Sequence, residues 1–159
     1  MDKRDMTYNL QLTPSFSLKE MLEGTALPRE AIVMNYQDFE EWMVKELKQV
    51  AIILQTIRDA AEEKFGDRFH GLRITDGLRV LRWEKAQGRS GNGQHPKATA
   101  ADFQPICADE DYMEIFNWIF RTFHKNFEGG FAKKEPDLDN GKKGFIHADN
   151  RGKKARWNY

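Results

Sequence analysis

Two imidazoles and one carboxylate stand in a pattern that can hold a metal ion. His95 and Asp102 lie seven positions apart, and His147 follows in Gly144-Phe145-Ile146-His147-Ala148-Asp149. Three such ligands leave a fourth coordination position open, which is what separates a catalytic zinc site from a structural one. A thiolate-rich structural site is ruled out, because Cys107 is the one cysteine. Zn²⁺ held by two neutral His and one Asp keeps a net positive charge. That charge lowers the pKa of its water to about 7 and polarises a substrate carbonyl. Hydrolysis of an amide is the chemistry these residues suit. Spacing alone carries little weight, since the chain has four histidines and a His on a strand is more often a core or surface residue.

The elements that must position these residues are legible in outline. Residues 144–149 read as a strand, on which side chains alternate between faces. Phe145, His147 and Asp149 then share one face, and Ile146 and Ala148 the apolar other. Residues 100–106 read as a second strand, with Asp102 alternating against Ala101 and Phe103. Side by side, the two strands would bring Asp102 to His147. The loop over 88–94, with three glycines in six positions, would deliver His95.

Other elements surround this pair. Ser17-Leu18-Lys19-Glu20 reads as a capping box opening a short helix over 18–23, with Phe16 as its staple. Pro28 begins a second short turn. The strongest period runs over 38–65, where Phe39, Trp42, Met43, Leu47, Val50, Ile53, Leu54, Ile57, Ala61 and Phe65 recur at three- and four-residue steps. That predicts one amphipathic helix with a buried face, stopped by Gly66. Residues 72–75 suit a strand and 81–87 a turn of helix. Asp109 is expected to cap a helix over 110–125, with Tyr112, Ile115, Phe116, Ile119, Phe120 and Phe123 on its apolar face. Gly129-Gly130-Phe131 starts an extended piece, 132–143 reads as a polar loop, and Ala155-Arg156-Trp157 as a further strand. The sum is an α+β fold with a small, largely antiparallel sheet packed with helices. Residues 1–15 look loosely structured, so 1–15 is expected to be an N-terminal extension and 16–159 a single domain.

Composition excludes several classes. Lys plus Arg equals Asp plus Glu at 25 each, which argues against a nucleic-acid or membrane-surface binder. The cluster Arg151-Gly152-Lys153-Lys154-Ala155-Arg156 reads as solvated surface. No stretch approaches the ~20 apolar residues of a membrane span. The charged opening Met1-Asp2-Lys3-Arg4-Asp5-Met6 is not a signal peptide. The expectation is a monomer made in the cytoplasm, acting outside it only if released or carried by another system. Cys107 reads as a small, inert thiol.

Four ordered blocks give the chain a family resemblance. They are Phe16-Ser17-Leu18-Lys19-Glu20; Ile74-Thr75-Asp76-Gly77-Leu78-Arg79; Gly93-Gln94-His95-Pro96-Lys97-Ala98-Thr99-Ala100-Ala101-Asp102; and Gly144 to Asp149 with Gly152 and Trp157. Together they resemble the zinc D-Ala-D-Ala carboxypeptidase and L-Ala-D-Glu endopeptidase family, whose fold is shared with the hedgehog signalling domain. The resemblance covers about residues 16–157. It implies a hedgehog-type α+β fold, Zn²⁺ held by His95, Asp102 and His147, and hydrolysis of peptidoglycan stem or cross-link peptides. By family analogy, a compact enzyme of this kind suits a phage-type lysin or virion component. The resemblance also implies Arg79 beside the substrate, where it would stabilise the oxyanion or grip a carboxylate; a structural ion pair is the competing role.

Three positions depart from the family pattern. Gly93 replaces a Ser, Ala98 a Gly and Asp76 a Ser, and Asp76 could pair with Arg79. The general base has no clear owner. Several family members place an acid where this chain has Gly144, and others a His where it has Phe145. Asp149 is the leading candidate, either as base or as the partner that orients a ligand. Glu135, Asp137 and Asp139 sit in a loop that could fold over the site. His70 and His124 match no motif and read as surface residues. The competing expectation is a non-catalytic zinc-containing domain that binds cell-wall peptide or a protein partner.

Overall fold

Asp102 and His147 face each other directly across two neighbouring strands, and the architecture is built around that pairing. A computed structural model describes residues 10–159. Its main sheet contains β3 (Gly71–Asp76), β4 (Ala100–Ile106), β5 (Gly130–Lys134), β6 (Phe145–Asp149) and β7 (Ala155–Asn158), in the order β3-β4-β6-β5-β7. The β3–β4, β4–β6 and β5–β6 pairs are antiparallel, whereas β7 runs parallel to β5. The sheet is therefore mixed, which corrects the antiparallel expectation at one edge. A second, two-stranded sheet joins β1 (Gln11–Thr13) to β2 (Phe16–Ser17).

Each face of the main sheet has its own composition. Ala101, Phe103, Phe131, Ile146 and Ala148 are fully buried in the hydrophobic core. The opposite face carries a row of partners across all five strands: Asp76, Asp102, His147, Ala132 and Trp157. An irregularity between Ile74 and Asp76 sets Asp76 opposite Asp102, as a bulge re-aims side chains at a sheet edge.

Helix α3 (Glu41–Phe65) supplies the largest share of the core. Met43, Leu47, Val50, Ala51, Leu54, Ile57, Ala61 and Phe65 line its buried stripe. A fully buried Leu or Ile contributes about 1.5–3 kcal/mol, so the stripe fixes the helix against the sheet. It ends at Gly66, whose φ of 56° suits glycine. Helix α5 (Asp109–His124) buries Tyr112, Ile115, Phe116, Ile119 and Phe120. The shorter α1 (Leu18–Leu22) carries the expected capping box at Ser17 and Glu20. Helices α2 (Arg29–Asp38) and α4 (Leu81–Ala86) complete the set among the described residues.

Several boundaries differ from the sequence-based expectation. The period over 38–65 is broken at Phe39, which is extended (φ −61°, ψ 133°) and buried. Trp42, counted on the apolar stripe, is 49% exposed. Pro28 leads into a ten-residue helix rather than a turn; the apolar residues of that helix are too scattered to show a stripe. Asp109 is not a cap: Ala108 holds that place, and Asp109, Glu110 and Asp111 instead complement the positive end of the helix. Strand β5 reaches Lys134, inside the stretch expected to be loop. Leu12 is buried in the core, Leu10 packs against it and Ser15 bonds Gln55, so residues 10–15 belong to the packed unit; the first part of the expected extension, 1–9, lies outside the described residues. Cys107 is half-buried, and burial raises its thiol pKa, in keeping with an inert role. Among the described residues no helix is long and apolar enough to cross a membrane.

Candidate metal centre

His95, Asp102 and His147 come together as one buried cluster, each offering a ligand atom within 4.8 Å of the others. Register alone joins Asp102 to His147. His95 arrives from the 3-10 turn His95–Lys97, which ends at Ala98 in the left-handed region (φ 60°, ψ 26°). The motif that this block resembles has glycine at that position, where a left-handed backbone favours it. Ala98 accepts a strain of about 1–2 kcal/mol in a conformation that glycine adopts freely. At Gly93, by contrast, a side chain would meet open space.

Each imidazole has one nitrogen fixed by the protein and the other turned to Asp102. His95 Nδ1 lies 2.6 Å from the Gly77 carbonyl oxygen, and its Nε2 lies 3.5 Å from Asp102 Oδ1. His147 Nε2 donates to Asp149 Oδ2 at 2.8 Å, and its Nδ1 to Asp102 Oδ1 at 2.8 Å. Anchoring one ring nitrogen in this way sets the tautomer that presents the other as a ligand. Donors bound to zinc at about 2.0–2.1 Å in a tetrahedron stand about 3.4 Å apart, close to the His95–Asp102 separation. The shorter His147–Asp102 contact has a proton where a cation would sit. The donor set therefore fits a divalent metal.

The electrostatics keep Asp102 an anion between two imidazoles. Burial alone would raise the Asp102 carboxyl, but His95 and His147 hold it well below the usual carboxylate range. Burial would lower His147, and hydrogen bonds to Asp102 and Asp149 outweigh it, so its pKa is raised. The charged His147 therefore stabilises the metal-free fold fully below the ordinary imidazole pKa of about 6.5, and this is lost as pH rises through the raised value. Metal must displace that proton. The expected result is a zinc affinity that falls by about tenfold per pH unit below the His147 pKa, while the metal-free protein gains stability over the same range. Zinc titrations and denaturant unfolding between pH 5 and about 9 check both slopes.

Asp149 is placed as the orienting partner of His147. It is fully buried, and both oxygens are engaged. Gly130 N–H donates to Oδ1 at 2.9 Å, and Arg151 grips the carboxylate from Nε (2.8 Å) and Nη2 (2.7 Å). Burial favours its protonation, yet His147 and Arg151 keep it well below the usual range. A carboxylate so occupied has little proton affinity left to act as a base. Gly130 makes the arrangement possible, because a Cβ there would stand 2.0 Å from Asp149 Oδ2.

Arg79 sits in the ion-pair network that competes with a substrate role. Its Nη1 donates to Asp76 at 3.0 Å, and its Nε lies 2.7 Å from Glu84 Oε1. Burial lifts the Asp76 carboxyl to about 6, against the pull of His95 and Arg79. Of the loop acids, Glu135 pairs with Lys133 and Asp137 accepts from Asn140. Asp139 lies within the short 3-10 turn Leu138–Asn140. The metal-ligand cluster draws on none of the three. His70 is exposed, and His124 stacks on Phe120 away from the ligands.

The contributions of Arg151, Arg156, Trp157, Tyr159 and the Gly77 carbonyl were not legible in the sequence. Arg151 stacks over Trp157 at 5.0 Å while holding Asp149, and Arg156 donates to the carbonyls of His124, Phe127 and Gly129. The basic cluster is thus partly structural rather than merely solvated. Trp157 packs against His147 at 5.0 Å between ring centroids, and Tyr159 lies 6.5 Å away. Gly77 acts through its carbonyl alone, which no motif can announce. A Cβ at Gly77 would stand 2.5 Å from Met21 O. Gly77→Ala is therefore expected to shift the carbonyl behind His95 and weaken zinc binding by about tenfold, with about 1–3 kcal/mol of lost stability. Chelator competition and urea unfolding measure the two.

No family model, no curated protein and no solved structure matches the chain.

Proposed function

We propose that this chain is a zinc-dependent peptidase of hedgehog-type fold that hydrolyses an amide bond in peptidoglycan stem or cross-link peptides. One observation carries the reading: both imidazoles are anchored through one nitrogen, to Gly77 O and to Asp149, and turn the other toward the shared Asp102 carboxylate. The four motif blocks supply the substrate class. Zinc, when bound by His95, Asp102 and His147, would supply a Lewis acid and an acidified water in its open position.

The chain's own groups have separable tasks. Asp149 and Arg151 keep His147 in its ligating orientation. Arg79, a quarter exposed, offers a cation beside the ligand set for a substrate oxygen. Trp157 and Tyr159 form an aromatic wall along His147.

A second reading is favoured by one specific feature. Both Asp149 oxygens are taken, and Gly144 offers no side chain to serve as base. A domain that binds zinc and a cell-wall peptide without cleaving it would look the same. Peptidoglycan digestion by the zinc-quantified protein decides between them. The peptidase reading expects new peptide ends that vanish in His147→Ala. Stoichiometric zinc without cleavage, across walls of several chemotypes, selects the binding domain.

A further inference from the structure

The row of facing residues that carries Asp102 and His147 ends at β7 in aromatic side chains. Ala132, fully buried, is the member of the row between His147 and Trp157. Its single methyl lets the indole lean across to His147, 5.0 Å between ring centroids. Arg151 covers Trp157 at 5.0 Å while it holds Asp149, which fixes the indole in place. Tyr159 follows Trp157 by two residues and so shares its face of the sheet. Its backbone N–H donates to Lys133 O at 3.2 Å, which carries the pairing one residue past the end of β7. The phenol ring packs edge-on against Phe145 at 4.9 Å, meets Trp157 at 6.1 Å and lies 6.5 Å from the His147 ring. Gly144 and Phe145, the residues of the β6 side on this flank, carry no polar side-chain atom.

We propose that Tyr159 is a catalytic hydrogen-bond donor, whose phenol O–H binds the oxygen of the scissile amide and holds it more strongly as negative charge builds there. The reaction in that statement rests on the peptidase reading; the donor and its position beside His147 do not. A preorganised donor of this kind lowers the barrier because it is already aimed where charge develops. Ring packing on Phe145 and the backbone bond to Lys133 supply the preorganisation.

The hydroxyl is free to serve. Tyr159 is 58% exposed, so a bound peptide can reach it. An indole N–H can only donate, so the hydroxyl accepts from Trp157 and keeps its own proton for another acceptor. Burial and the Asp102 charge push the phenol up to about 12, against the pull of Trp157 and Arg79. It is therefore protonated at neutral pH, and the influence of Asp102 on it places the hydroxyl in the field of the ligand set. Arg79 stands near the other end of the row, with its charge shared between Asp76 and Glu84. A neutral donor at the β7 end brings no charge that must be stripped of water when a peptide covers it.

Tyr159→Phe removes the hydroxyl and keeps the ring on Phe145, and two measurements on the zinc-loaded protein test the donor. Initial rates of peptidoglycan digestion are expected to show kcat lowered by about 10–100-fold, the span for a hydrogen bond to a charged oxygen, with KM little changed. Calorimetric titration uses the phosphinate analogue of D-alanyl-D-alanine, whose tetrahedral anionic oxygens stand in for the charged oxygen of the transition state. Its affinity is expected to fall by the same factor in Tyr159→Phe, while the parent dipeptide binds both proteins equally and zinc stays at one equivalent. Equal phosphinate affinity in the two proteins, no phosphinate binding by either, or an equal loss for phosphinate and dipeptide would each overturn the donor. A phosphinate preference that needs the hydroxyl, in a protein that cleaves nothing, leaves the donor standing and removes the peptidase reading. Undiminished cleavage by Tyr159→Phe does the reverse.

Discussion

Asp149→Ala is expected to lower zinc affinity by about 10–100-fold, the range for losing a partner that orients a metal-ligating His. The substitution strips His147 Nε2 of its acceptor, frees the Gly130 N–H and releases the Arg151 fork. The His147 ring can then rotate, and its Nδ1 no longer points reliably at the cluster. The metal-free protein should lose about 3 kcal/mol, the low end for breaking a buried pair, because Arg151 is partly exposed and can turn to water. Chelator competition gives the affinity and urea unfolding the stability. Asp149→Asn keeps an acceptor for His147 and should lose less on both counts. If instead Asp149→Ala bound zinc normally yet abolished cleavage, Asp149 would be the base and its orienting role secondary.

Installing at position 144 the acid that several members of the resembled family carry should fail in this chain. Gly144 has a φ of 61°, and a Cβ there would stand 2.2 Å from Lys134 O and 2.8 Å from Pro136 N. The surrounding backbone is pinned as well: Gln104 Nε2 donates to Gly144 O at 2.7 Å and Tyr112 to Lys143 O at 2.7 Å. Gly144→Asp is therefore expected to cost about 3 kcal/mol, summing left-handed strain with overpacking against backbone, and to bring no gain in hydrolysis. A denaturation midpoint and a peptidoglycan digest test it. A stable variant with faster cleavage would mean the loop yields easily and the missing acid is a real catalytic deficit.

The ligand set was readable chiefly through the four motif blocks, because spacing alone carries little weight among four histidines; strand alternation added the pairing of Asp102 with His147. Putting His147 opposite the apolar Ile146 and Ala148 fixed its face, and the β4–β6 register then leaves Asp102 as its only direct partner on β4. Helix α3 was readable from its stripe, but its start was not. Phe39 is buried whether it ends one helix or begins another, so hydrophobic period cannot locate the break. Strand β1 is three residues long, too short for a period to register. The parallel entry of β7 depends on where the chain crosses after Asp149, and nothing local encodes that direction. Arg151 was hidden for a different reason: a cation in a basic run reads as surface until its buried carboxylate partner is known. The Arg79–Asp76 pair was legible because the two lie three residues apart, whereas Glu84 became visible only through the fold.

Zinc K-edge X-ray absorption of the protein loaded with one equivalent tests most directly whether His95, Asp102 and His147 form a metal centre. The expected spectrum shows two imidazole nitrogens with oxygen donors, all at about 2.0–2.1 Å, and loses one imidazole in His147→Ala. A sulfur shell from Cys107, or a spectrum unchanged in His147→Ala, would contradict it.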